Sequence, residues 1–209
     1  MELHRYAKLR PYLYHLTHRL NLDCMRETAR LFPAQTLMQR AGQTDLMRAR
    51  RIDPAQVRIF GSLVSIRDQA VLHSRNIQFP PGYKLEDFIE SLNQRVFFWP
   101  GTGDGPIDYG IRHFQRYQAE CPAILRVALQ SMLSANPSVA PRFCRFNSGS
   151  PRCSHGRKSP RGPDVFLLTE DFSGTPSDVV EVTFDAEISI PIDSELGISP
   201  QGPWNSMFQ

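Results

Sequence analysis

Seventeen prolines are spread through these 209 residues, against thirteen glycines, and this constrains the fold more than any other feature. Proline fixes its own φ and removes an amide donor, so it interrupts helix interiors and central strands alike. Frequent interruption leaves short elements, which favours a mixed or strand-rich architecture over a helical bundle. The length suits one well-formed core and is short for two, so a single domain over residues 1–209 is expected. A hydrophobic fraction of 41% and a charged fraction of 22% are those of a globular chain and argue against global disorder.

No apolar run approaches the ~20 residues that span a bilayer. Residues Met1 to Arg10 lack the apolar segment of a secretory signal, so a cytoplasmic protein with no membrane partner is expected. Cys24, Cys121, Cys144 and Cys153 contain no Cys-x-x-Cys pair and are expected as free thiols in a reducing compartment. The formal charge of +3 does not by itself mark a nucleic-acid binder. Its distribution is uneven: Arg48, Arg50 and Arg51 form one basic cluster, and Arg152, Arg157, Lys158 and Arg161 form another. Solvated surface is the ordinary account of both.

Leu13-Tyr-His-Leu-Thr17 reads as a strand, which places His15 and Thr17 on one face with Leu13. Such a polar pair needs hydrogen-bond partners, either inside the fold, as a satisfied core histidine, or on a ligand. Asn21 then has the chemistry of a helix N-cap, with Asp23 in the first turn. Leu22, Met25, Ala29 and Phe32 recur at helical spacing up to Pro33. A second helix is expected over Ala34 to Ala41, stopping at Gly42.

The β-rich stretch from Arg58 to Ile66 is interrupted by Gly61, which predicts one bent or bulged strand. Leu85, Phe88, Ile89 and Leu92 mark the apolar face of a helix from about Lys84 to Gln94. Val96 to Trp99 is a short branched and aromatic strand that Pro100-Gly101 is expected to end. A helix over about Pro106 to Glu120, with Ile107, Ile111 and Phe114 inward, precedes a strand over Ile124 to Leu129 and a helical turn over Gln130 to Ala135. Asn147 to Pro163 is too polar to contribute to a core and reads as a loop. Asp164 to Leu168, Asp178 to Phe184 and Ile188 to Ile192 read as strands. In the second of these, Glu181 is the one charge in a run that should otherwise be packed. It is either an exposed glutamate on a half-solvated sheet or a carboxylate held rigidly at a cleft.

These motifs carry a resemblance. Tyr14-His-Leu-Thr17 followed by a helix resembles the first motif of the His-class ADP-ribosyltransferases, the diphtheria-toxin-like and poly(ADP-ribose) polymerase group. The ordered set of Tyr14-His-Leu-Thr-His18, Asn21-Leu22, Val96-Phe-Phe-Trp99 and Val180-Glu-Val-Thr183 with Ile188 and Ile192 is most similar to the DarT-type toxins that ADP-ribosylate DNA. The resemblance implies an α+β fold with a split β core and flanking helices, and NAD as co-substrate. It also implies a mono-ADP-ribosyltransferase acting on a nucleic acid, DNA favoured, as a toxin or defence effector with an antitoxin partner.

Carried over residue by residue, His15 would hydrogen-bond the nicotinamide riboside with Thr17 in support. Phe98 and Trp99 would lie against the nicotinamide, where many relatives have a tyrosine that this chain lacks. Glu181 would be the catalytic glutamate, and Arg51 or its neighbour Arg50 the arginine serving the phosphates or the transfer. Arg67-Asp68-Gln69 and Asn147-Ser148-Gly149 are further polar groups that could line the cleft. A protein acceptor, or a degenerate domain that binds NAD or a partner without transfer, is the alternative. A zinc module on Cys121, Cys144, Cys153 and His155 matches no common ligand spacing, and no Gly-x-Ser-x-Gly elbow supports a serine hydrolase.

Overall fold

The strand that carries His15 is central to the main sheet. A computed structural model describes residues 1–209. Along the chain, α1 (Leu3–Leu9) leads into β1 (Tyr12–His18), α2 (Leu22–Thr28), β2 (Arg30–Leu31) and α3 (Ala34–Arg40). Then come β3 (Ala55–Ile59), β4 (Ser62–Ile66), β5 (Ile77–Gln78) and α4 (Leu85–Asn93). Next are β6 (Val96–Thr102), β7 (Gly105–Pro106), α5 (Asp108–Tyr117), β8 (Pro122–Ala128) and α6 (Leu129–Ala135). The last are β9 (Arg142–Cys144), β10 (Ser159–Pro160), β11 (Glu181–Phe184), β12 (Ile188–Ser189), β13 (Glu195–Gly197) and β14 (Asn205–Ser206). Helices and strands are mixed along the chain, as an α+β class requires. No helix is long and apolar enough to cross a membrane.

The main sheet runs β14-β13-β8-β1-β6-β11-β9, with β7 paired to β6, and each of its pairings is antiparallel. β8 pairs with β1 along its whole length, from Tyr12↔Ala128 to His18↔Pro122. β6 changes partner part-way. Its Trp99–Gly101 half pairs with β1 at Tyr12–Tyr14, whereas its Val96–Phe98 half pairs with β11. β1 beyond Tyr14 and β6 before Trp99 therefore have no ladder between them, and their free edges bound the cavity described below.

The main core lies on one face, where Leu13, Val96, Phe98, Leu125, Val127, Val182 and Phe184 meet Met25, Leu129, Met132 and Ile188. A separate cluster joins Cys24, Leu37 and Met38 to Val57, Ile59, Val64 and Ile66 of the hairpin. Another joins Phe88, Ile89 and Leu92 of α4 to Cys144 and Phe166.

Several elements differ from expectation for identifiable reasons. The stretch around Gly61 is a two-strand hairpin, closed by Ile59↔Ser62. Phe60 and Gly61 both take positive φ, +48° and +78°, the backbone of a tight two-residue hairpin turn. α2 ends at Thr28 because Ala29 turns left-handed at φ +51°, which frees Arg30–Leu31 to pair with β12. β6 runs through Pro100-Gly101 to Thr102. At Gly101 an added Cβ would lie 2.2 Å from the Gly105 carbonyl oxygen, so glycine permits the close β6–β7 approach. Residues 163–165 form a 3-10 turn, and of the strand expected over Asp164 to Leu168 only an isolated Phe143↔Leu167 bridge remains. All four cysteines are free thiols.

Candidate functional site

A cavity of about 270 Å³ opens where β1 and β6 part, and His15, Thr17, Arg51, Phe98, Trp99 and Glu181 all line it. Residues far apart in sequence are thus brought together.

His15 is fixed by its ring. Its Nδ1 lies 2.9 Å from the Phe97 carbonyl oxygen, and a carbonyl can only accept, so Nδ1 carries the hydrogen and Nε2 is left as an acceptor. Burial, reinforced by the nearby Arg67 charge, lowers its pKa to about 4, so the ring is neutral at pH 7. Thr17 Oγ1 accepts from Asn21 Nδ2 at 2.9 Å, which leaves its hydroxyl hydrogen free to donate.

Asn21 holds the N-cap position of α2 but makes no side-chain cap bond. Its amide bonds instead to Thr17 and to both the N–H and carbonyl of Ser65, tying β1 to β4. The predicted cap is a cross-link.

Glu181 is 3% exposed, which removes the solvated-surface account. Its Oε1 accepts from the Ser148 backbone N–H at 3.1 Å, and its Oε2 has no partner. The Ser148 hydroxyl is equally buried and unpartnered. Burial pushes the Glu181 carboxyl up to about 7, against the opposing pull of Ser148 and the Arg161 charge.

The aromatic pair is divided between the two faces of β6. Phe98 is 1% exposed, and its ring packs edge-on to Phe184 at 5.8 Å and lies 5.5 Å from His15. Trp99, 9% exposed, lies on the other face, 5.4 Å from His113 and stacked on Tyr109 at 6.5 Å. Both rings line the cavity, Phe98 packed against the histidine and Trp99 against His113 and Tyr109.

Of the three clustered arginines, Arg51 alone lines the cavity. Its Nε donates to the Arg67 carbonyl and its Nη2 to Asn93 Oδ1, each at 3.0 Å, and it has no carboxylate partner. Burial lowers its pKa to about 10, so it remains a cation at neutral pH. Arg50 turns away to the Leu72 carbonyl at 2.9 Å, and Arg48 pairs with Asp87 and Glu90. Arg67, Asp68, Gln69, Asn147, Ser148 and Gly149 all line the cavity as well. Arg67 donates to the Thr17 carbonyl at 3.1 Å and lies 4.2 Å over the Tyr117 ring.

α5 supplies residues that the sequence did not single out. His113 and Tyr117 lie on its cavity side, with ring centroids 5.1 Å apart. The His113 pKa is lowered to about 3 by burial and by the Arg67 and Arg116 charges. An added Cβ at Gly110 would come within 2.9 Å of Trp99 and 2.7 Å of Pro106, so glycine lets α5 seat directly on β6. The spacing 110, 113, 117 was the available signal. It was masked by Ile107, Ile111 and Phe114, which mark a different stripe of the same helix.

The polar loop also needs correction. Ser148 and Arg161 within it are buried, because Arg161 is braced by Ser159 Oγ and by the Pro160 and Asn147 carbonyls.

A family model matches residues 11–193, a span that covers the strand, the helices and the glutamate just described. The chain belongs to DUF7002, a family of unknown function. No curated protein matches this DUF7002 chain. Among solved structures, DarT of Thermus sp. 2.9, in complex with ADP-ribosylated ssDNA, is similar at 15% identity and a TM-score of 0.39, covering 88% of this chain and 78% of that one.

Proposed function

We propose that this DUF7002 chain is an NAD-dependent mono-ADP-ribosyltransferase that modifies a nucleic acid, DNA favoured, as a toxin or defence effector. The observation that carries this reading is one cavity holding both a neutral imidazole with a free Nε2 and a buried carboxylate with a free oxygen. The motif resemblance supports it.

The donor set fits NAD. His15 Nε2 is placed to accept from a ribose hydroxyl, and the Thr17 hydroxyl is free to donate beside it. Trp99 would wall the nicotinamide side, with Phe98 packed against His15 at 5.5 Å. A volume of about 270 Å³ lies just below the ~300–1,000 Å³ usual for ligand pockets, so it suits the nicotinamide riboside half rather than the whole dinucleotide. Arg51, a cation on the cavity wall, would serve the phosphates or the transfer.

As nicotinamide leaves, positive charge develops on the ribose. A fixed Glu181 carboxylate stabilises that charge more in the transition state than in the ground state. Because the free protein holds this carboxyl at about 7, kcat/KM should rise with pH through that value.

The direct test incubates labelled NAD with the protein and separate pools of DNA, RNA and lysate protein, beside Glu181→Gln. Label on the DNA pool, reduced by about 10²- to 10³-fold in the variant, is the expected result. Absence of both transfer and nicotinamide release would overturn the reading.

A further inference from the structure

A second cavity, of about 410 Å³, adjoins the first and shares His113, Arg116, Asn147 and Ser150 with it. Arg112, Arg116, Arg145, Arg152 and Arg161 line it, and no aspartate or glutamate does. None of the five is in an ion pair. Four are exposed. Arg161 is 3% exposed, and its Nε has no partner.

Five arginines on one wall without a carboxylate concentrate positive charge that an entering anion relieves. A buried cation with no carboxylate in contact is the costliest member of such a set. Guanidinium forks match phosphate oxygens in pairs, which distinguishes this wall from a cluster of lysines. Tyr109, 41% exposed on the same wall, carries the Arg112 guanidinium 4.8 Å from its ring centroid, and that exposed planar group is one on which a base can stack. The wall thus has the chemistry of a nucleotide and its phosphate rather than of an acidic peptide.

The number of charges separates a strand end from a strand interior. An internal phosphodiester brings one negative charge and two chain continuations, whereas a terminal monoester brings about −1.5 to −2 at pH 7 and one continuation. The end group is the better match to a buried arginine behind four exposed ones.

We propose that this cavity binds the terminal phosphomonoester of a nucleic-acid strand and so sets which part of the acceptor lies beside Glu181. The acceptor role rests on the transferase reading above; the phosphate site does not.

The test is fluorescence anisotropy with a labelled ten-nucleotide DNA carrying a phosphate or a hydroxyl at its free end, and with a phosphoserine peptide of equal charge. Tenfold or tighter binding of the phosphorylated end is expected, with that preference lost in Arg145→Gln/Arg152→Gln, whose sites are exposed and tolerate substitution. Circular dichroism confirms that the variant is folded. Equal affinity for the two ends, a preference that survives the double substitution, or tighter binding of the peptide would each overturn the proposal. Calorimetric titration with NAD separates the two readings. Phosphate preference without NAD binding leaves this site standing and removes the transferase, and NAD binding without phosphate preference does the reverse.

Discussion

The two adjoining cavities are built on opposite electrostatic plans. In the first, burial disfavours the charged forms of the histidines and the glutamate: His15 and His113 stay neutral in mild acid, and Glu181 keeps its proton up to about pH 7. Their orientations come from backbone bonds, to the Phe97 carbonyl for one and from the Ser148 N–H for another. In the second, exposed arginines of a single sign surround one buried arginine. The first holds its acid–base groups buried and hydrogen-bonded to the backbone, as a site for bond cleavage should. The second attracts at a distance and adapts, as a site for capture should.

The largest effect should come from removing the buried carboxylate. Glu181→Gln is expected to lower transfer by about 10²- to 10³-fold while making the fold more stable above pH 7. The folded protein binds the Glu181 proton more tightly than the unfolded chain, so wild-type stability falls as pH rises from about 4.5 to 7. A shift from 4.5 to about 7 corresponds to about 3 kcal/mol at most. Denaturant melts of both proteins at pH 8 check this, and a less stable variant would count against a buried ionised glutamate.

The histidines oppose that trend. Their folded pKa values lie below the unfolded one, so the stability they contribute is lost as pH falls from about 6.5 toward 4. His113→Phe should reduce this acid sensitivity, measured as the change in Tm between pH 6.5 and 4. An unchanged acid slope would mean that His113 is already hydrated.

Gly110→Ala tests the seat of the helix that both cavities share. Its Cβ would meet Trp99 and Pro106, so a loss of about 1–3 kcal/mol is expected, together with slower nicotinamide release. Unaltered melting would show that α5 can shift freely. The smallest effect is the most diagnostic of the second plan. Arg152→Gln should lessen the salt dependence of oligonucleotide binding by about 0.7 in log–log slope, and an equal slope would exclude that residue from phosphate contact.

What was legible in the sequence followed from local rules. The His15 strand, α3, α4 and the Glu181 strand each announce themselves by period or by flanking residues, and the central motifs fall near one another because the strands carrying them are neighbours in the sheet. Asn21 was misjudged because its preference for helix caps is a local property, while its actual partners, Thr17 and Ser65, depend on how β1 meets β4. Arg161 looked like part of a solvated basic run; only the return of the loop against Asn147 and β5 buries it. Gly110 shares a helical stripe with His113 and Tyr117, but the need for a missing Cβ there exists only once Trp99 is opposite.

Besides its short pairing with β7, β6 belongs to two ladders that do not overlap, one with β1 through Trp99–Gly101 and one with β11 through Val96–Phe98. It is therefore a seam between two cooperative units. Amides on either side of Phe98 should report separate opening events in hydrogen exchange, and a molecule bridging the cleft would couple the two halves as a rivet does, raising the protection of both without touching either hydrogen-bond ladder.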